Sequence, residues 1–285
     1  PTVLYTVPLH DALPCSNENQ TMLISLNRPK KLISLNTLMG SDVTPRLLEY
    51  VKSTSSSWGV LTLTAPKGLC AGGDVAECAR QIVEGNPHYG LDFFQKEYNL
   101  NYLILTYSKP YVALMDGITM GGGVGLSVHA PFRVVTERTK LAMPEMDIGF
   151  FPDVGTTFFL PRLDDKVGYY VALTGTVLSG LDAYLLGFGT HYVHSERLEA
   201  LVNRLLSLQP PIVAEKQASD NHRTPVDSTA EFYAQVNEIL DEFAENALPK
   251  DKSFPFTPEQ LKVINEAFSK PTVEEIFQYL HEEGS

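Results

Sequence analysis

No apolar run in the chain approaches the roughly 18 residues that a bilayer-spanning helix needs. Cysteine is scarce. Cys15, Cys70 and Cys78 are the only three in 285 residues; their odd number and lack of metal-ligand spacing exclude a disulfide framework and fit a reducing compartment. Positive charge is in deficit, with 22 Lys and Arg against 34 Asp and Glu, a net −12. Such a surface repels phosphate backbones unless a concentrated basic patch offsets it, and none of nucleic-acid length is present. Direct nucleic-acid binding and membrane insertion are therefore not expected, and the expected partner is a small molecule. Low-complexity tracts and solenoid-type repeats are also absent.

What is there reads as a globular protein. Hydrophobic residues make up 44 % and charged residues 20 %, close to the average for folded domains. The length allows one large domain or two small ones at roughly 150 residues each, and a chain of this size can bury a full core. Met22–Leu26, Val60–Thr64, Tyr111–Met115 and Phe132–Thr136 are short apolar runs separated by stretches with helical spacing. That alternation predicts a layered α/β fold over residues 1–190. Strand-like runs then give way to helical spacing at Ser195–Ser207, Glu231–Ala247, Thr257–Phe268 and Thr272–His281, which predicts a helical region over 191–285. Gln209-Pro210-Pro211 and Ser219–Ser228 read as loops.

Three segments set glycine beside polar groups: Cys70-Ala71-Gly72-Gly73-Asp74, Gly117–Gly125, and Ala142–Gly155. The first two each follow a strand and precede a helix. Glycine lets backbone N–H groups approach a ligand, and helix starts leave those groups unpaired. Two such turns facing each other could aim two donors at one oxygen; tight turns and close helix packing are the alternative. The Gly121–Gly125 run lacks the Lys-Ser/Thr ending of a phosphate loop and the spacing of a dinucleotide fingerprint. In the third segment Glu145 and Asp153 lie eight residues apart, with Met143, Ile148, Phe150 and Phe151 placed to desolvate them. A helix cap for Asp153 and a solvated turn for Glu145 are the structural alternatives. Glu97 falls on the apolar stripe Phe93, Phe94, Leu100, Ile104 of a helix over Leu91–Ser108, where a carboxylate is costly unless paired or functional. Cys70 has no identifiable His and acid to activate it, and His129 and His191 sit in apolar contexts.

The order of Asn27-Arg28-Pro29-Lys30, Cys70–Asp74, Asp116–Gly123 and Met143-Pro144-Glu145 resembles the crotonase (enoyl-CoA hydratase/isomerase) superfamily. With Gly117–Ser127, Ile148–Gly155 and Phe159–Leu163, it is similar to the 3-hydroxyisobutyryl-CoA hydrolase branch, fungal mitochondrial members included. The resemblance implies a spiral of ββα units with a helical C-terminal region, shorter here than in hydrolases of the branch. It implies an oxyanion hole from the N–H groups of Ala71 and Gly122, catalytic carboxylates at Glu145 and Asp153, and substrate contacts at Glu97, Gly72, Gly73 and Asp74. Hydratases of the superfamily carry a second glutamate at the position of Gly125, so hydration by two carboxylates is not expected. Arg28, Lys30 and Lys31 could meet CoA phosphates. The implied activity is hydrolysis of a short 3-hydroxyacyl-CoA in valine catabolism, without metal or cofactor, since coenzyme A belongs to the substrate. The implied location is the mitochondrial matrix, with the targeting segment absent from this chain. Another crotonase reaction, a homo-oligomer and a scaffold role in the small subunit of the mitochondrial ribosome stay open.

Overall fold

The computed structural model describes residues 12–16, 22–26, 28–36, 44–45, 47–48, 61–64, 68–208, 228–245 and 255–283. The loops expected at 209–211 and 219–227 lie outside them. The main sheet runs β1 (Ala12–Ser16), β2 (Met22–Leu26), β3 (Leu61–Thr64), β4 (Tyr111–Met115), β6 (Phe132–Val135) and β9 (His191–Tyr192), in that spatial order. Only β1 pairs antiparallel. A second sheet holds β5 (Ile118–Met120), β7 (Lys140–Ala142) and β8 (Leu178–Ser179), with β8 antiparallel. The helices are α1 (Val75–Val83), α2 (Tyr89–Leu105), α3 (Gly122–Gly125), α4 (Thr156–Phe159), α5 (Val167–Thr174) and α6 (Gly180–Leu185), then α7 (Leu198–Leu206), α8 (Ser228–Phe243), α9 (Pro258–Ala267) and α10 (Val273–Glu283).

Two successive repeats of the spiral each send one strand to each sheet before turning. β4 lies in the main sheet and β5 in the second, followed by α3; β6 and β7 repeat the step. Gly117 makes the corner after β4 with φ +88°, a region that side chains disfavour. Asp116 at that corner accepts from Thr136 Oγ1 at 2.7 Å and Arg138 Nε at 2.9 Å, tying one repeat to the next.

β4 is buried at every position, as befits a parallel strand covered on both faces. Its period-two alternation serves two cores. Tyr111, Ala113 and Met115 face the core shared with α2 and the second sheet, whereas Val112 and Leu114 pack with Leu201, Leu205, Val236 and Leu240 of α7 and α8. The sheet reaches slightly past the expected boundary at 190, because β9 pairs with β6 at Val134 and Val135. From Ser195 onward the described residues form helices and their connections. Thr257 and Gln260 close a capping box on α9, with Pro258 at its first position.

Candidate active site

Backbone bonds stitch the two glycine turns together. Cys70 N–H donates to Ile118 O at 3.0 Å and Met120 N–H to Cys70 O at 2.9 Å. A Cβ on Gly123 would stand 2.4 Å from Cys70 O, so α3 can approach the first turn this closely only through glycine.

The amides do not divide as the resemblance implies. Ala71 N–H donates to Leu32 O at 3.1 Å and is already spent, so the Ala71 assignment is corrected. One bridge further along, Leu35 N–H donates to Gly72 O and Asp74 N–H to Leu35 O, both at 2.8 Å. That parallel bridge leaves Gly73 N–H without an acceptor among the described residues. Gly122 N–H, at the start of α3, likewise has none. A Cβ built on Gly122 would lie 3.3 Å from Gly73 N, so the two unspent amides flank one space. Finding this required the Leu35–Gly73 pairing, which no local signal in the sequence announces.

Asp74 is also corrected. It is not part of the cavity wall; its Oδ1 accepts from Glu77 N–H at 3.3 Å, capping α1, and its Oδ2 meets Arg28 Nη2 at 3.2 Å. Arg28 further donates to Ser34 O at 2.6 Å. The Arg28–Asp74 pair thus fixes the entry to the first glycine turn. Cys70 is fully buried, and burial pushes its thiol up to about 12, which keeps it protonated and unreactive at neutral pH.

Beside the amides is a cleft of ≈ 190 Å³ whose wall includes Gly72, Gly73, Gly122, Glu97, Glu145 and Asp153. The three carboxylates come from three elements. Glu97 lies on the buried stripe of α2 with Phe93, Leu100, Asn101 and Ile104. Glu145 occupies the first turn of the 3₁₀ segment Pro144–Ile148, which Pro144 opens. Asp153 precedes two left-handed residues, Val154 at φ +48° and Gly155 at φ +78°. It caps no helix: α4 starts after Gly155 without a side-chain cap. Asp153 Oδ2 instead accepts from Tyr98 Oη at 2.7 Å. Tyr98 carried no signal in the sequence, since its partner lies 55 residues away. Phe94 stacks on Phe150, with centroids 5.7 Å apart, and both line the cleft. Of the apolar neighbours expected to desolvate the carboxylates, Phe150 and Ile148 line the cleft, Ile148 from an exposed position, whereas Phe151 is exposed and is not part of its wall.

Both glutamates are nearly buried, at 5 % exposed for Glu97 and 7 % for Glu145, and Glu97 Oε1 and Glu145 Oε2 have no hydrogen-bond partner among the described residues. Burial, then the charges of Asp153 and Glu145, push Glu97 up to about 8. Burial also raises Glu145, to about 7, with Asp153 adding to the shift. Asp153 is raised by burial while the Tyr98 hydroxyl draws it back down. A group held above its ordinary 4.5 keeps its proton in the folded state after the unfolded chain has released it. The Glu97 contribution to stability is therefore intact below that value and is lost as pH rises toward 8. Glu97→Gln, which cannot ionise, is expected to melt several degrees above the parent at pH 8 and to lose that advantage at pH 4. An equal difference at both pH values in thermal melts would exclude this source of strain.

Fold and site together define a protein of the crotonase type, and comparison with known proteins narrows the class. Residues 21–285 match the enoyl-CoA hydratase/isomerase family model. The chain belongs to the crotonase superfamily, in its 3-hydroxyisobutyryl-CoA hydrolase branch. It is 42 % identical over 271 residues to the mitochondrial 3-hydroxyisobutyryl-CoA hydrolase of Homo sapiens, covering 93 % of this chain and 63 % of the relative. It is 43 % identical over 266 residues to the small ribosomal subunit protein mS47 of Neurospora crassa, covering 92 % of this chain and 49 % of that one. The chain thus spans about half to 63 % of the length of these relatives. Among solved structures, a carnitinyl-CoA dehydratase from Mycobacterium thermoresistibile superposes with a TM-score of 0.75 at 35 % identity, covering 96 % of this chain and 71 % of that one.

Proposed function

We propose that the protein hydrolyses a short 3-hydroxyacyl-CoA thioester in the mitochondrion, with 3-hydroxyisobutyryl-CoA as the substrate. The observation that carries this reading is the unpartnered Glu145 oxygen sharing a cleft with the two unspent glycine amides. In it, Gly73 N–H and Gly122 N–H receive the thioester oxygen as negative charge develops there. Glu145, ionised, attacks the carbonyl carbon or takes a proton from the water that does. When Glu145 takes the water's proton, the C–S bond breaks and that proton passes to the departing sulfur as the hydroxy acid forms. When Glu145 attacks, CoA leaves as thiolate from an acyl-glutamyl anhydride. A water then cleaves the anhydride, its protons going to the thiolate and the released acid while Glu145 returns to the carboxylate. Asp153, held by Tyr98, accepts the 3-hydroxyl. Glu97, raised to about 8, is mostly protonated at neutral pH and donates toward the acyl end. A cleft of ≈ 190 Å³ suits a short acyl group, with the rest of CoA outside. Coenzyme A enters as substrate, and this chemistry needs no other group.

Hydration by a carboxylate pair is disfavoured by the surroundings of Gly125. A Cβ there would fall 2.5 Å from Val154 Cβ and 2.9 Å from Asn101 Nδ2, so a second acid has no room. The test is release of free thiol from 3-hydroxyisobutyryl-CoA measured beside hydration of crotonyl-CoA. Thiol release alone is the expected result; hydration without hydrolysis would sink the reading. Tyr98→Phe removes the hydrogen bond to Asp153, and a bond to a charged group contributes about 1.5 kcal/mol or more. A loss of roughly tenfold in kcat/KM is expected, and an unchanged value would detach Asp153 from the chemistry.

The identity to mS47 supports a second reading, in which the fold serves as a scaffold in the mitochondrial small ribosomal subunit. Its −12 charge favours a protein neighbour over RNA there. Co-sedimentation with ribosomal particles from mitochondrial extract tests it.

A further inference from the structure

We propose that His129 is a positioning residue for Asp153, acting through the backbone of Val154. The inference rests on the reading above that Asp153 contacts the acyl hydroxyl. Val154 is β-branched yet adopts φ +48°, a conformation that such side chains avoid and that persists only where the surroundings impose it. Two contacts impose it. From one side, the buried Val154 side chain lies on Gly125, where a Cβ would come 2.5 Å from Val154 Cβ. From the other, Val154 O accepts a hydrogen bond from His129 Nε2 at 2.8 Å. The acceptor is a carbonyl, so Nε2 carries the proton. Burial, assisted by the nearby Arg133 charge, lowers the His129 pKa, so the ring that donates is the neutral one. Gly155 completes the arrangement: a Cβ there would meet His129 Nε2 at 2.7 Å, so only glycine lets the ring close on this turn. His129 thus holds a strained peptide whose preceding residue is the carboxylate facing Glu145 and Glu97 across the cleft. Without it, Val154 relaxes to an ordinary conformation and Asp153 leaves its place beside Tyr98.

The test compares His129→Leu, His129→Gln and Val154→Gly with the parent. His129→Leu keeps the bulk and loses the donor; a displaced group near the reacting atoms costs about ten- to a hundredfold in kcat, with KM within about threefold. His129→Gln keeps an N–H donor near the same place and restores most of the rate. Glycine at 154 takes the left-handed conformation without strain, so adding His129→Leu to Val154→Gly should cost less than about threefold. A loss of equal size in both backgrounds marks a merely structural histidine and overturns the proposal. Should His129→Leu not fold, His129→Asn, too short to reach Val154 O, takes its place. Titration of the Asp153 carboxyl carbon by NMR gives a readout independent of turnover. Its midpoint should move by about half a pH unit or more in His129→Leu and not in His129→Gln. A parent that hydrolyses nothing defeats the hydrolase reading, while an Asp153 midpoint that stays fixed in His129→Leu defeats this one.

Discussion

Replacing Glu145 by Gln is expected to lower kcat for 3-hydroxyisobutyryl-CoA hydrolysis by about 10²-fold or more, with KM changed far less. The substitution keeps the shape of a side chain that is almost wholly buried and removes its ability to attack or to accept a proton. Losses beyond about 10⁴-fold would indicate that the carboxylate itself forms the first bond to the acyl carbon. Single turnover in heavy-oxygen water separates the two routes: an acyl-Glu145 anhydride cleaved at the glutamyl carbon leaves the label in Glu145 and releases unlabelled acid, whereas direct attack by water puts the label in the acid. The parent should also carry a signature in pH. Glu145 must be ionised to act, and burial with the Asp153 charge holds it near 7. For the parent, kcat/KM should rise about tenfold per unit below pH 7 as Glu145 ionises, and fall above about 8 as Glu97 loses the proton it donates. A Glu145→Gln variant as fast as the parent would remove Glu145 from the mechanism.

The four central strands of the main sheet, β2, β3, β4 and β6, were legible in the sequence because each is a short apolar run bounded by punctuation; the others, of two to five residues, were not. Tyr111–Met115 occupies the same five residues in the structure as in the pattern. The two-sheet spiral was legible only through the resemblance, since nothing local tells Ile118–Met120 to leave the sheet that Tyr111–Met115 joins. Helix spacing found α7 to α10 to within a few residues, but the first turn of the helix expected at Ser195 is 3₁₀. The helix-cap alternative for Asp153 fails because Val154 after it takes a left-handed turn, its place over Gly125 outweighing its own preference.

At the site, Glu97 was legible because a carboxylate interrupts an apolar stripe, and Glu145 and Asp153 because they flank a turn. The structure brings these three into one cleft. What the sequence concealed is how backbone donors are shared out. Ala71, Gly72 and Gly73 are consecutive and look equivalent, yet strand-like pairing with Leu32 and Leu35 spends one amide and spares another. Asp74 looked like a substrate ligand because it follows the glycines. Its bonds to Arg28 and the start of α1 depend on a residue 46 positions away.

Gly122 offers the sharpest test of the two-amide site. An alanine there needs no unusual backbone, since the residue lies in α3 without a positive φ. Its methyl would stand 2.3 Å from Glu97 Oε1, 3.0 Å from Leu35 Cδ1 and 3.3 Å from Gly73 N. The first two atoms are ends of side chains that can give way, so the protein should fold. The third is the amide proposed to hold the thioester oxygen, and the methyl would occupy the space in front of it. Losing such a donor costs about 10²- to 10³-fold in kcat, and Gly122→Ala should fall in that range. Gly90→Ala is the matched control: it also lies on a helix, and its Cβ would meet only Ile82 Cδ1, at an ordinary 3.7 Å. That variant should hydrolyse as the parent does and melt no lower, because alanine is the better helix former. If Gly122→Ala binds the substrate and keeps kcat within about threefold of the parent, the carbonyl oxygen does not lie between these amides, and the thioester must be polarised elsewhere in the cleft.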